Sequence, residues 1–234
     1  MEDKNIKNIV ILTGAGMSAE SGISTFRDNG GLWEKHKVED VATYKAWKND
    51  PEMVMEFYNH RRKQLLEVEP NIGHNDLVKL EEKFNVKIIT QNIDDLHERA
   101  GSSDVLHLHG ELKKSRSTVD KNLVYDIDGW ELTFEDKCEK GSQLRPHIVW
   151  FGENVPMIVP AIGIVAEADI VIVIGTSMGV YPAAGLINYV GNEIPKYYID
   201  PNAYAVPGVG NLSVINEKAG VGVPKLVAEL LENG

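Results

Sequence analysis

The sequence predicts an α/β fold, a doubly wound and mostly parallel sheet carrying a smaller inserted domain. Three observations predict it. The apolar runs Asn8–Thr13, Val86–Thr90 and Ala168–Ser177 are rich in β-branched residues and continuous rather than alternating, as strands covered on both faces are. Helical patterns stand between them, so successive strands return in the same direction. Each run then opens onto glycine, amide, carboxylate or imidazole groups, and open sheets of this kind hold their ligands at the carboxyl ends of the strands.

Length and composition bound the reading. The 234 residues suffice for one large domain with a small insertion. A formal net charge of -11 leaves no basic excess to neutralise phosphates, so no nucleic-acid partner is expected. The single cysteine, Cys138, allows neither an internal disulfide nor a multi-cysteine zinc site. No apolar run reaches the roughly 20 residues of a membrane span, and Ile9–Leu12 is too short for a signal-peptide core. A cytoplasmic protein without a membrane partner is expected.

Taken in order, the strand Asn8–Thr13 runs into Gly14-Ala15-Gly16-Met17-Ser18-Ala19, the G-x-G-x-x-A spacing of a dinucleotide-binding turn. A tight turn without a ligand would use the same glycines. The acidic residue expected about 20 positions on is missing. In its place stands the polar loop Ile23–Trp33 with Phe26 and Arg27, suited to closing over a cofactor or to lying on the surface with one buried aromatic.

A helical pattern then covers 34–69, with Asp50 as cap, Pro51 at the first position, and Val54, Phe57, Tyr58, Arg61, Leu65 and Leu66 at helical spacing. Tyr58 and Arg61 share a face, either as simple packing or as a paired phenol and guanidinium. Asn71 caps a helix through Phe84. The strand Val86–Thr90 delivers Gln91-Asn92-Ile93-Asp94, and a helix over 92–100 ends at Gly101. His107 and His109 alternate after Asp104, so spacing alone lets either act as a base. His74, His97 and His147 are read as structural or exposed.

Residues 111–144 form a polar insertion read as a hairpin, with Leu123–Ile127 and Trp130–Phe134 joined at Asp128-Gly129. Pro146–Asn154 is a strand, Pro156–Ala168 a helix, and Ala168–Ser177 a strand ending in Gly175-Thr176-Ser177. Tyr181–Asn192 reads as helix, Lys196–Asp200 and Leu212–Asn216 as strands, and Val221–Leu231 as the closing helix.

Gly14 through Arg27, Gln91-Asn92-Ile93-Asp94, Leu108-His109-Gly110, Val149-Trp150-Phe151-Gly152-Glu153 and Gly175-Thr176-Ser177 together resemble the sirtuins, the NAD-dependent protein lysine deacylases. The motifs occur in that family's order over nearly the whole chain. The resemblance implies a single catalytic domain over 1–234. Its large Rossmann-type part would comprise 1–33, 73–110 and 145–234, and its small part 34–72 and 111–144. NAD and acylated lysine would meet in the cleft between them. It further implies that Ala15, Gly16, Ser18 and Arg27 hold the pyrophosphate side, with Phe26 over the nicotinamide ribose and Gly14, Ala19 and Trp33 also in contact with the cofactor. Gln91 and Asn92 would touch that ribose, and Ile93 and Asp94 the carboxamide. Gly175, Thr176, Ser177, Asp200 and Ala219 would lie toward the adenosine end.

His109 would be the general base, with Asn92 and Asp94 as its catalytic partners. The acyl oxygen would attack the nicotinamide ribose carbon, giving nicotinamide, O-acyl-ADP-ribose and free lysine. Val149, Phe151, Gly152 and Glu153 would pair with the substrate peptide as an added strand.

Ala42, Tyr58 and Arg61 resemble the trio of sirtuins that act on acidic acyl groups, which implies removal of succinyl and malonyl groups and weaker removal of acetyl. The chain departs from the family in having Cys138 alone where two cysteine pairs usually hold zinc. Structural zinc is therefore expected to be absent, with packing around Val124, Tyr125, Trp130 and Phe134 in its place. The rival functions are a mono-ADP-ribosyltransferase, a non-catalytic sensor of NAD or acyl-lysine, and a plain dehydrogenase.

Overall fold

The structure, a computed structural model, describes residues 6–23, 32–33 and 36–233, with Leu32 and Trp33 described as backbone only. Phe26 and Arg27, and the side chain of Trp33, lie outside the described residues.

Six parallel strands make the main sheet: β1 (Asn8–Thr13), β4 (Asn85–Thr90), β5 (Val105–His107), β9 (Ile170–Ile174), β10 (Lys196–Ile199) and β11 (Leu212–Ile215), in the spatial order β11-β10-β9-β1-β4-β5. The intervening β2 (Leu32–Trp33) and β3 (His36–Lys37) form a short separate ribbon. The chain leaves β1 toward β4 and β5, then restarts on β1's other side with β9. The direction of winding thus reverses beside β1, the position where ligands enter sheets of this type.

Register brings the exits level. Thr13 pairs with both Thr90 and Ile174, Thr90 with His107, and Ile174 with Ile199. Gly14, Gln91, Gly175 and Asp200 therefore emerge side by side along one rim.

Alternation within β1 explains why the strand is apolar throughout. Ile9 and Ile11 pack with Leu77, Val223, Leu226 and Val227, from α5 (Ile72–Lys79) and α8 (Ala219–Asn233). Val10 and Leu12 pack on the opposite face with Ala161 and Val165 of α7 (Ile158–Ala166) and with Leu186 and Ile187 of a 3-10 helix, Ala183–Tyr189. The α-helix expected over 181–192 is that 3-10 segment.

A third core is built elsewhere. The helices α2 (Val38–Val41), α3 (Tyr44–Asn49) and α4 (Pro51–Leu66) pack against a three-stranded antiparallel sheet of β6 (Gly110–Ser117), β7 (Val124–Asp126) and β8 (Leu144–Ile148), order β7-β6-β8. Asp50 Oδ1 accepts from Met53 N and Asn71 Oδ1 from Gly73 N, as their positions predict. Arg62, fully buried, donates to the carbonyls of Leu112 and Trp130 and to Asn59, tying α4 to the insertion.

The insertion differs from the expected hairpin. Its turn joins β6 to β7 over 118–123, where Ser117 Oγ accepts from Val119 N and Asp120 N. Gly129 does sit at a left-handed bend, φ 72°, but Trp130–Phe134 after it is not a strand. The packing there also differs: Leu112, Ile127, Leu132, Cys138 and Leu144 fill the core, while Val124, Trp130 and Phe134 are exposed. Leu96–Ala100, α6, is shorter at its start than the helix expected from Asn92, and it ends at Gly101 with φ 107°. Among the described residues no helix is long and apolar enough to cross a membrane.

Candidate active site

A cavity of about 370 Å³ opens where the winding reverses, between the sheet rim and the third core. Gly14, Ala15, Gly16 and Ser18 line it from the first turn, Gln91 to Asp94 from the β4 exit, His109 beside them, and Gly175 to Ser177 and Asp200 from the far strands. Ala42, Tyr58, Arg61 and Val149 to Glu153 line the opposite wall. Two expected contacts lie off the wall. Ala19 is exposed beyond the first turn, and Ala219 is buried in the core at the start of α8.

The first turn is shaped by packing between two strand exits. Gly16 N donates to Gly175 O at 2.8 Å, and Gly175 adopts φ 61° with its α-carbon so close to the turn that an added Cβ would stand 2.3 Å from Met17 N. Only glycine fits there.

Behind this turn runs a directed chain of hydrogen bonds. Asn92 Nδ2 donates to Gly14 O at 3.1 Å and to Ser18 Oγ at 3.0 Å, and the Ser18 hydroxyl donates in turn to Asp94 Oδ2 at 2.9 Å. Asp94 Oδ1 accepts from Leu96 N. Burial raises the Asp94 carboxyl above its ordinary range, opposed by the Ser18 hydrogen bond. Gln91 Nε2 donates to Thr176 Oγ1 at 3.2 Å and so links the β4 and β9 exits.

The two histidines left open by spacing have different surroundings. His109 Nδ1 lies 3.0 Å from Gln91 O. A carbonyl can only accept, so Nδ1 carries the proton and Nε2 keeps its lone pair. Burial lowers the His109 pKa, which favours the neutral ring. His107 donates from Nδ1 to Asn92 O and from Nε2 to Glu98 Oε1 at 2.7 Å. Although burial opposes the charge, the Glu98 carboxylate prevails and raises the His107 pKa, and both ring nitrogens are engaged by oxygens that accept.

Gly110 holds His109 in place. With φ 83°, it lies so near β8 that a Cβ would meet His147 O at 2.0 Å. Val149 N donates to His109 O at 2.8 Å just beyond.

On the opposite wall, Phe151 N donates to Ala42 O at 3.0 Å and Trp150 N to Glu153 Oε2 at 2.9 Å. The amides of Val149, Trp150 and Phe151 are thus spent within the chain. An added strand along 149–153 would have to use other groups than these donors. Tyr58 is fully buried and Arg61 nearly so, one turn apart on α4. Arg145 pairs with both oxygens of Glu153 at 2.8 and 3.0 Å.

His74 and His97 are buried, not exposed, with ring centroids 4.8 Å apart beneath the rim. Val155, Val180 and Tyr181 also line the cavity, and nothing in the local sequence pattern marked them; Ile23, at the start of the loop expected to close over a cofactor, lines it as well. Trp150 lines it too; its place inside Val149–Glu153 was the available signal.

The sheet order and the cavity at its reversal define a Rossmann-type α/β protein with a small helical and antiparallel attachment. A family model described as the Sir2 family matches residues 14–182, and the chain belongs to that family, the sirtuins. It is 53% identical over 226 residues to an "NAD-dependent protein deacylase" of Bacteroides thetaiotaomicron, covering 94% of this chain and 97% of that one. A Helicobacter pylori protein of the same description is 52% identical over 229 residues, covering 97% of each. The fold is similar to that of a Sir2 homologue in complex with NAD, with TM-score 0.87 and 39% identity, covering 98% of this chain and 91% of the other.

Proposed function

We propose that this chain is an NAD-dependent protein lysine deacylase that removes succinyl and malonyl groups, and more weakly acetyl groups, from lysine side chains. The observation that carries the reading is His109, a neutral imidazole with its basic nitrogen left available on the wall of a cavity that also holds Asn92 and Asp94. The buried Asn92, Ser18 and Asp94 chain suits a dinucleotide. It supplies an amide and a carboxylate in fixed orientation, and Asp94 can accept from a carboxamide N–H. NAD, when bound, would supply a glycosidic carbon that bonds to the acyl oxygen as nicotinamide leaves, and one water would be consumed in releasing O-acyl-ADP-ribose and free lysine.

The chain's own residues would bind, orient and move a proton. His109 Nε2 takes the proton of a ribose hydroxyl, and Gln91 O stabilises the imidazolium that results by accepting from Nδ1. Gln91 and Asn92 meet the ribose, Ile93 and Asp94 the carboxamide, and Ala15, Gly16 and Ser18 the phosphates. Gly175, Thr176, Ser177 and Asp200 border the adenosine end. Phe26, Arg27 and Trp33 would complete the cover.

The acyl reading rests on Ala42, Tyr58 and Arg61 lining one end of the cavity. Ala42 leaves room, and a guanidinium matches a carboxylate in a bidentate fashion. We take 34–72 and 111–144 as the small part of the catalytic domain, supported by their shared core, and read the protein as cytoplasmic on its single cysteine. Structural zinc has no place in this reading. Cys138 Sγ lies 3.1 Å from Ser142 Oγ and 3.4 Å from Ser117 Oγ, and one thiol with two hydroxyls is not a zinc donor set. Among the described residues no group of three or more His, Cys, Asp or Glu is arranged to hold a metal ion.

The test is mass spectrometry of matched acetyl-, malonyl- and succinyl-lysine peptides incubated with NAD. Free lysine peptide and O-acyl-ADP-ribose are expected, fastest from the acidic acyl groups. ADP-ribose appearing on protein without deacylation would instead favour a mono-ADP-ribosyltransferase. No nicotinamide release with any peptide would overturn the reading.

A further inference from the structure

The acyl end of the cavity contains a hydrogen bond that Ala42, Tyr58 and Arg61 do not account for. Trp150 Nε1 donates to Tyr58 Oη at 3.0 Å, between two buried side chains. An indole N–H has no lone pair to offer, so the direction is fixed. A phenol that accepts on one side must send its own proton elsewhere. Among the described residues none accepts it, and burial keeps the phenol protonated by raising its pKa.

The indole is itself clamped. The Arg145 guanidinium lies 3.4 Å from the Trp150 ring centroid, held there by both oxygens of Glu153. Glu153 Oε2 also accepts from Trp150 N at 2.9 Å. One carboxylate therefore fixes the residue's backbone and the cation on its ring face. A cation so placed draws electron density from the ring, which strengthens the N–H as a donor.

We propose, building on the acyl preference above, that Trp150 is a positioning residue for acyl selectivity: its indole N–H occupies the accepting side of Tyr58, so the phenol faces the acyl chain as a donor. With Arg61 beside it, the far end of the acyl pocket then offers donors. A carboxylate, which only accepts, satisfies such a site. A primary amide of the same length presents its own N–H groups to those donors and is disfavoured.

The experiment is a double-mutant cycle with Trp150→Phe, which keeps an aromatic ring beside Arg145 and removes the N–H, and Tyr58→Phe. kcat and KM are measured on succinyl-lysine, succinamoyl-lysine and acetyl-lysine peptides. Trp150→Phe is expected to lower the succinyl-to-acetyl ratio of kcat/KM roughly tenfold, chiefly through KM, and to narrow the gap between succinyl and succinamoyl. In the Tyr58→Phe background it should add nothing further.

Factors that multiply in the double variant, or a ratio that Trp150→Phe leaves unmoved, would overturn the role assigned to Trp150. Wild-type enzyme with no preference for succinyl over acetyl would overturn the acyl reading as well, so the two failures are distinct. Should the Trp150 variant not fold, the indole N–H resonance of the wild type, assigned through Tyr58→Phe, supplies the answer. It should move further on binding succinyl- than acetyl-lysine peptide, and equal movement counts against the proposal.

Discussion

His109 and Gln91 are joined by a hydrogen bond of 3.0 Å from the imidazole Nδ1 to the backbone carbonyl. Gln91 immediately follows β4 and its side chain reaches Thr176, so the tautomer of the His109 ring is fixed by the same strand exit that braces the rim.

From that bond follows a pH dependence. Burial lowers the His109 pKa below its ordinary 6.5, and the neutral ring is the form that a general base requires. kcat/KM should rise with pH and level off below the usual histidine range, with activity lost only at lower pH as Nε2 is protonated. His109→Ala should cost about 10²- to 10⁴-fold in turnover. An acidic limb centred above pH 7, or full activity in the variant, would count against this base.

Arg61→Met should separate the acyl groups. Removing the guanidinium from a desolvated pocket is expected to reduce the succinyl-to-acetyl ratio of kcat/KM by roughly a hundredfold, equivalent to about 3 kcal/mol. Equal losses on both substrates would mean that Arg61 supports the fold rather than reading a carboxylate.

Acid should destabilise the protein through its buried histidines. His74 is fully buried, and desolvation lowers its pKa to about 4. His97 next to it is also lowered, by burial first and by the charges of His74 and His107 after that. Thr13 gives its hydroxyl proton to Thr90, so His97 Nε2 must donate to Thr13 and cannot also serve as an acceptor there. The unfolded chain takes up protons near pH 6.5 while the folded one resists them, so stability falls as pH drops from 6.5 toward 4. For His74 alone the loss is about 3 kcal/mol by pH 4. Thermal melts of His74→Leu should show a flatter dependence across that window than the parent protein; an unchanged slope would assign acid sensitivity to other groups.

Metal removal should have no effect. With Cys138, Ser117 and Ser142 bonded to one another, chelator treatment is expected to leave both melting temperature and deacylation unaltered. Stoichiometric zinc in purified protein would contradict this.

The parts of the molecule fixed by near neighbours were readable in the chain. Asp50 and Asn71 cap helices through amides two or three positions on, and β1, β4 and β9 declare themselves by apolar runs. The insertion was not readable in the same way, because β6 pairs with β8 across about thirty residues and its core uses Leu132 and Cys138 from segments without regular structure. Nothing local reveals that Arg62, beside Arg61, turns inward to the distant carbonyls of Leu112 and Trp130. Nor could alternation separate His107 from His109. Strand β5 stops at His107, and it is the bend at Gly110 and the partner Glu98 that give the two rings different hydrogen-bond partners.

The cavity's two walls belong to different packing units. Gly14, Asn92 and Gly175 sit just beyond strand ends of the six-stranded sheet, whereas Ala42, Tyr58 and Trp150 belong to the core shared by α2–α4 and the three-stranded sheet. On the proposed function, repacking one unit would retune which acyl group is accepted, while the residues proposed to meet the nucleotide stay mounted on the other.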